Sequence, residues 1–390
     1  MKIQKSLLLF AFLVVTVVVM PLQGQTVAVD TNSLAAAPNP EKPAALNLKT
    51  LADLSNLPDS EMVVHVNASR IINDAMPRLV PEKELQKMRS GMDQMKAFTN
   101  IDLRNLEFLV VAVRFKKPSG GTLFPLPEVM FAARGDFDAK ALLGMAMMMS
   151  EGKLREEKLG DHSIYVLKLS DVAKGAANSP FGAAFSEIAI TTLDANTLAV
   201  GNLAYIKAAL EATSGTGRIK PELLASLMRD PNALISVTGS PLKAFAKSFG
   251  LRVAENLDPN CATRFGDYYM SLTMGTDSFK INGALNADNP DTASIIKNML
   301  SGLLQQGRSY VPDKGAQTLL DQVKIISEGD EVLVEATIPQ EMAAKFFRDI
   351  FAPPPPKAAS TGVKAEVAQP AETKKVTKPK AKSRSTRRRT

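Results

Sequence analysis

Ser240 and Lys243 stand three residues apart, the spacing at which a lysine one helical turn after a serine can take the hydroxyl proton, as in penicillin-recognising enzymes. Ser294 and Lys297 repeat that spacing, and the chain has neither a K-T-G triad nor a G-x-S-x-G elbow. Ser240 also precedes Pro241, a pairing typical of a helix start, where the hydroxyl accepts from a free backbone N–H. The cap is the preferred reading of Ser240. An exported serine-type hydrolase is the alternative it leaves open.

His65 and His162 are the two histidines and Cys261 is the one cysteine, too few for a histidine-rich or cysteine-based metal site. His65 falls in the strand-like run Met62–Val66 and reads as a satisfied strand residue; His162 follows Gly160-Asp161 and reads as a turn residue. The run Met145, Met147, Met148 and Met149 supplies thioethers, which hold copper in exported proteins but also fill irregular cores. Met145 and Met149 are the metal candidates, and no cofactor is expected.

Gly215-Thr216-Gly217-Arg218 follows a helix rather than a strand, so it reads as a helix stop and not a phosphate cradle. Asp136 and Asp138 stand before a helix start, where acids offset the positive helix end, and Asn286, Asp288 and Asp291 have the same reading. There is no tryptophan and there are only five tyrosines, which argues against an aromatic platform for sugars.

The strongest charge pattern lies at the C-terminus. Pro353–Pro356 form a stiff spacer, and residues 352–390 carry 11 basic and 2 acidic side chains. Setting that +9 and the two N-terminal lysines against the overall +7 leaves the rest of the chain near −4. Such a tail has nothing to bury and is expected to be disordered. Lys374, Lys375, Lys378, Lys380, Lys382, Arg384, Arg387, Arg388 and Arg389 are the candidates for contact with an anionic envelope polymer or lipid head groups. The tail has no aromatic residue to stack on bases, which argues against nucleic acid. A solubilising role is the competing use of the same charge.

The elements that would carry these residues follow from changes of period along the chain. Tyr268, Met270, Leu272 and Met274 alternate with Tyr269, Ser271 and Thr273; after a turn at Gly275-Thr276-Asp277 the alternation resumes through Phe279, Ile281, Gly283 and Leu285. Asn289-Pro290 then opens a helix with Ile296, Met299, Leu300 and Leu303 at helical spacing. The same hairpin-helix plan is read at 187–212 and 322–351, and with a longer loop at 106–149. Leu109–Val113 and Val129–Ala133 are nearly continuous apolar runs, as in central strands buried on both faces.

Pro58-Asp59 precedes the strand Met62–Val66, and Pro231-Asn232 precedes Leu234–Val237. Each strand runs into a helix start, so the order strand, helix and two hairpin-helix units is read twice, over 51–214 and 215–351. The fold class expected is α+β: mainly antiparallel sheets of hairpin-helix units, helices on one face, in two similar halves.

Residues 1–24 place Lys2 and Lys5 before the apolar stretch Leu7–Met20 and end at Pro21-Leu22-Gln23-Gly24, the order of a secretory signal. The apolar core is shorter than a spanning helix needs. Cleavage is preferred over an uncleaved anchor, and either sends the body to the periplasm or cell envelope. Residues 25–50 read as a flexible linker. Cys261 has no internal partner and is expected as a lone thiol in a 251–266 loop.

Leu57-Pro58-Asp59, Gly135-Asp136-Phe137-Asp138 and Leu198-Ala199-Val200-Gly201 give the chain, over about 51–351, a pattern that resembles uncharacterised exported bacterial proteins with an N-terminal signal and a duplicated α+β body. That resemblance implies no activity. The expectation is a non-enzymatic cell-envelope protein with a binding or scaffold role, a protein partner for its body, and a basic tail as tether.

Overall fold

The computed structural model describes residues 53–99, 101–115, 127–150, 152–168, 187–240, 265–310 and 314–351. Its strands are β1 (Met62–Val66), β2 (Leu106–Phe115), β3 (Pro127–Gly135), β4 (Arg155–Leu159), β5 (His162–Lys168), β6 (Glu187–Asp194), β7 (Thr197–Gly201), β8 (Ala233–Gly239), β9 (Phe265–Met274), β10 (Ser278–Ala287), β11 (Lys324–Glu328) and β12 (Glu331–Pro339). The helices are α1 (Glu82–Thr99), α2 (Ala139–Met149), α3 (Leu203–Thr213), α4 (Pro221–Leu227), α5 (Pro290–Tyr310), α6 (Lys314–Asp321) and α7 (Gln340–Phe351). Three successive helical turns, Ala68–Arg70, Ile71–Ala75 and Met76–Leu79, follow β1.

Local chemistry sets several of these boundaries. The Asp138 carboxylate accepts from the backbone N–H groups of Lys140 and Ala141 at 2.9 and 3.1 Å, and the Asn289 side chain accepts from Thr292 N–H at 2.9 Å. Asn67 does the same for Arg70 at 3.1 Å. These groups satisfy N–H donors that have no partner inside the helix. Pro221 and Pro290 occupy first helical positions, where the missing N–H costs nothing.

All the strands join one antiparallel sheet in the order β11-β12-β10-β9-β8-β1-β2-β3-β7-β6-β5-β4. A single cross-strand row threads it: Glu156, Tyr165, Ile190, Val200, Phe131, Val111, Val64, Val237, Met270, Gly283, Val334 and Ile325. Successive residues point to opposite faces, so the neighbouring row Ala199, Ala132, Val110, His65, Ser236, Ser271, Asn282, Glu335 and Lys324 lies on the other side. The side that carries His65 is the first face, and the side that carries Val64 is the second.

The helices occupy both faces, which corrects the expectation of one. Tyr205, Ile206, Ala209 and Leu210 of α3, with Leu223 and Leu227 of α4, pack on Val110, Ala112, Met130, Ala132, Ala189 and Ala199 of the first face. Ala293 and Ile296 of α5 pack on Val332 of the second face, with Leu285 and Ile325 beside them. Ile71, Leu79 and Ala343 close over Phe279, Leu272 and Ile338, also on the second face. The physical reason lies in the rows. On β2, β3 and β7 the first face is apolar, whereas on β9, β10 and β12 it carries Ser271, Asn282 and Glu335 and the apolar residues move to the second face. Helices follow the apolar surface because its burial dominates their docking.

Candidate functional site

Where the sheet passes from its apolar to its polar half on the first face, β1, β8 and β9 bring His65, Ser236 and Ser271 into direct register. Thr238 and Tyr269 pair in the next row. All five are buried. Ser271 donates to the Asp230 carboxylate at 3.2 Å, and Thr238 donates to the Tyr268 carbonyl at 3.1 Å. Arg229 sits 5.8 Å over the Tyr269 ring and forms a two-pronged ion pair with Glu331, one limb at 2.9 Å. That pair holds the Glu331 carboxyl below its ordinary range, and burial pushes the Tyr269 phenol up.

His65 is the distinctive member. It is 3% exposed, its ring lies 5.5 Å from that of Phe108 at a tilted angle, and its Nε2 has no hydrogen-bond partner. Burial alone lowers its pKa to about 4, so the imidazole is neutral at physiological pH. The expectation of a satisfied strand histidine is corrected at this nitrogen, which has no hydrogen-bond partner; the strand neighbours of His65 are Val110 and Ser236, the latter on a strand more than a hundred residues away in the chain.

Ser240 is held away from this cluster. Its hydroxyl donates to the Asp267 carboxylate at 2.7 Å, and its N–H donates to the Glu61 carbonyl at 2.8 Å. Glu61 precedes His65 by four residues, about 13 Å along an extended chain, so the two do not form a nucleophile–base pair. Lys243 lies outside the described residues, as does the helix that Ser240 was expected to cap. Ser294 is exposed on the first turns of α5.

Met145 is half-buried in α2, while Met147 and Met148 are exposed. The Met149 side chain lies outside the described residues. So do the tail residues Lys374, Lys375, Lys378, Lys380, Lys382, Arg384, Arg387, Arg388 and Arg389, together with Cys261, the signal and the linker. Phe265 and Gly266, expected in a loop, begin β9. No group of three His, Cys, Asp or Glu side chains among the described residues is placed to hold a metal ion. No described helix is long and apolar enough to cross a membrane.

The Gly215–Arg218 segment accounts for its glycines by backbone shape. Gly215 and Gly217 have φ of +99° and +66°, a conformation that favours glycine. The Gly217 carbonyl accepts from Asp59 N–H at 2.7 Å, which ties the segment before β1 to the loop after α3.

An ion-pair node escaped sequence reasoning. Arg134 at the end of β3 is buried and pairs with Asp53 at 3.0 Å, Glu107 at 3.3 Å and Asp194 at 2.9 Å, and it donates to the Thr197 hydroxyl at 2.9 Å. It fastens the start of the described body to the β2, β3 and β6–β7 ends of the sheet. A lone arginine at the end of an apolar run was the signal available.

No protein-family model and no curated protein matches the chain. Among solved structures, crystal form III of the protein TP0453 is similar at 12% identity with a TM-score of 0.41, covering 76% of this chain and 97% of that one. Crystal form I of TP0453 is similar at 10% identity with a TM-score of 0.38, covering 77% of this chain and 97% of that one.

Proposed function

We propose that the chain is a non-enzymatic, exported cell-envelope protein with a scaffold role, built by internal duplication and tethered through Lys374–Arg389 to an anionic polymer or lipid surface. The observation that carries the scaffold reading is the first face of β10, β12 and β11. It presents Lys280, Glu335, Thr337, Lys324 and Ile326 to solvent as a broad sheet surface of mixed charge. Such a surface suits contact with another macromolecule better than enclosure of a small substrate.

Support for the duplication comes from strand order. β1-β2-β3-β7-β6 and β8-β9-β10-β12-β11 describe the same path outward from the centre of the sheet. Val64 pairs with Val237, and each stands six residues after its proline, Pro58 or Pro231. The antiparallel register of β1 with β8 sets these two valines opposite each other, as two related halves meeting at the centre of the sheet would. On this reading β4 and β5 are an insertion peculiar to the first half.

The tether rests on charge. A +9 tail on a body near −4 concentrates attraction to anions at one end of the chain, and that attraction weakens with salt. The test is fractionation of cells that produce the full chain or the chain lacking 352–390. The full chain should stay with the envelope at low salt and be released at high salt, and the shortened chain should be released at both. Equal retention of the two would overturn the tether while leaving the scaffold reading standing.

A further inference from the structure

Among the described residues the sheet ends in two edge strands, β4 and β11. An unpaired edge presents backbone donors and acceptors to any strand that can meet them, and proteins usually blunt it with charge, proline or a bulge. β4 is blunted by charge: it reads Arg-Glu-Glu-Lys-Leu, and its central Glu157 is already paired with Lys207. β11 is different. It reads Lys-Ile-Ile-Ser-Glu, pairs with β12 over all five residues without a bulge, contains no proline, and leaves Ile326 41% exposed.

We propose that β11 is the interface of a two-fold symmetric dimer, in which the β11 edges of two copies of this chain pair antiparallel and join their sheets into one. The register follows from the hairpin. The two-residue turn Gly329-Asp330 closes on the pair Glu328 and Glu331, so Lys324, Ile326 and Glu328 direct their backbone groups to β12, while Ile325 and Ser327 direct theirs to the free edge. Only a register centred on Ile326 uses the free groups of both residues in both copies, each Ile325 exchanging bonds with the Ser327 of its partner copy.

That same register settles the side chains. Ile326 meets its own copy on the two-fold axis, and each Lys324 meets the other copy's Glu328. All three contacts fall at non-hydrogen-bonded positions, where facing side chains come closest. They stand on the first face, where Lys324, Ile326 and Glu328 are exposed among the described residues, while α5 packs against the second. The equivalent self-pairing of β4 would set Glu157 against Glu157, a like-charge contact that disfavours it. Five residues of edge make a small interface, so the dimer is concentration-dependent and weakened by salt.

The test uses the full chain in a mild non-ionic detergent, with Cys261→Ser as background. Ile326→Cys places two thiols across a pair about 4.5 Å apart between Cα atoms, within disulfide reach. Ser327→Cys places them about 8 Å apart, out of reach. Under mild oxidation the first should give a covalent dimer at least about tenfold faster than the second, since only its thiols meet. Sedimentation equilibrium of the unsubstituted chain should show a monomer–dimer equilibrium that Ile326→Lys shifts to monomer. Circular dichroism of every variant, read from the same samples, serves as the folding control, since each should keep the secondary structure of the unsubstituted chain. A chain that remains monomeric at every concentration, equal crosslinking at the two positions, a mass that rises without limit, or a dimer untouched by Ile326→Lys would each overturn the proposal.

Discussion

Acidification from pH 7 to pH 5 should destabilise the body through His65 in particular. In the folded protein the imidazole is buried and its pKa lies at about 4, against 6.5 when free. A folded pKa below the unfolded one means that the unfolded chain binds the proton first, so stability is full above about pH 6.5 and is lost as pH falls toward 4. The whole shift corresponds to about 3 kcal/mol, of which about 2 kcal/mol is lost between pH 7 and pH 5. That window lies above the range in which the ion-paired carboxylates Glu157 and Glu331, both held below their ordinary values, begin to protonate. The assay is urea unfolding followed by circular dichroism at half-unit steps of pH, for the natural chain and for His65→Leu. The natural chain should lose stability with a slope that approaches 1.4 kcal/mol per pH unit, and His65→Leu should be nearly flat over the same window. A substituted chain with the same slope as the natural one would refute the assignment to His65.

Gly201→Ala should cost about 3 kcal/mol, because the added methyl would meet the Val129 carbonyl oxygen and stand 2.8 Å from Met130 Cα in the adjacent strand; thermal unfolding measures it. Ile296→Ala, which empties a fully buried position of α5 against Val332, should cost about 2 to 5 kcal/mol by urea unfolding. Arg134→Met should cost about 1.5 to 3 kcal/mol, since it removes the charged hydrogen bonds of a buried cation while the three carboxylates it leaves keep access to water. Raising the salt concentration should recover part of that loss, because Glu107 and Asp194 are about half exposed and salt screens their repulsion once the cation is gone.

The strands whose faces differ in polarity were legible. Met270, Leu272 and Met274 against Tyr269, Ser271 and Thr273 announce β9, and Leu109–Val113 announces a central strand, because burial on one face or two leaves a period in the residues. β4 was illegible for the same reason in reverse. An edge strand that reads Arg-Glu-Glu-Lys-Leu has charge on both faces, so no period separates it from a loop. α1 likewise carries few apolar residues and buries Leu85 but leaves most of its surface in water.

Alternation also says which residues share a face without saying which face the next strand turns upward. The exchange of the apolar side between β2 and β10 therefore came from the register across β1, β8 and β9, which joins residues far apart in the chain. The environment of His65 was hidden in the same way, since Ser236 reaches it only through the pairing of β1 with β8. The caps were different: Asp138 and Asn289 act on N–H groups two or three residues away, and such local chemistry can be read directly from sequence.

The central claim, an exported scaffold held by its basic tail, is tested most directly by co-sedimentation with vesicles of anionic and of neutral lipid across a salt series. Three proteins are compared: the full chain, the chain lacking 352–390, and a chain whose tail residues from Lys374 to Arg389 are replaced by glutamine at each lysine and arginine. The account predicts binding of the full chain to anionic vesicles alone, a steep loss of that binding as salt rises, and no binding by the two altered chains. Salt-insensitive binding, or equal binding by the chain without its tail, would contradict it.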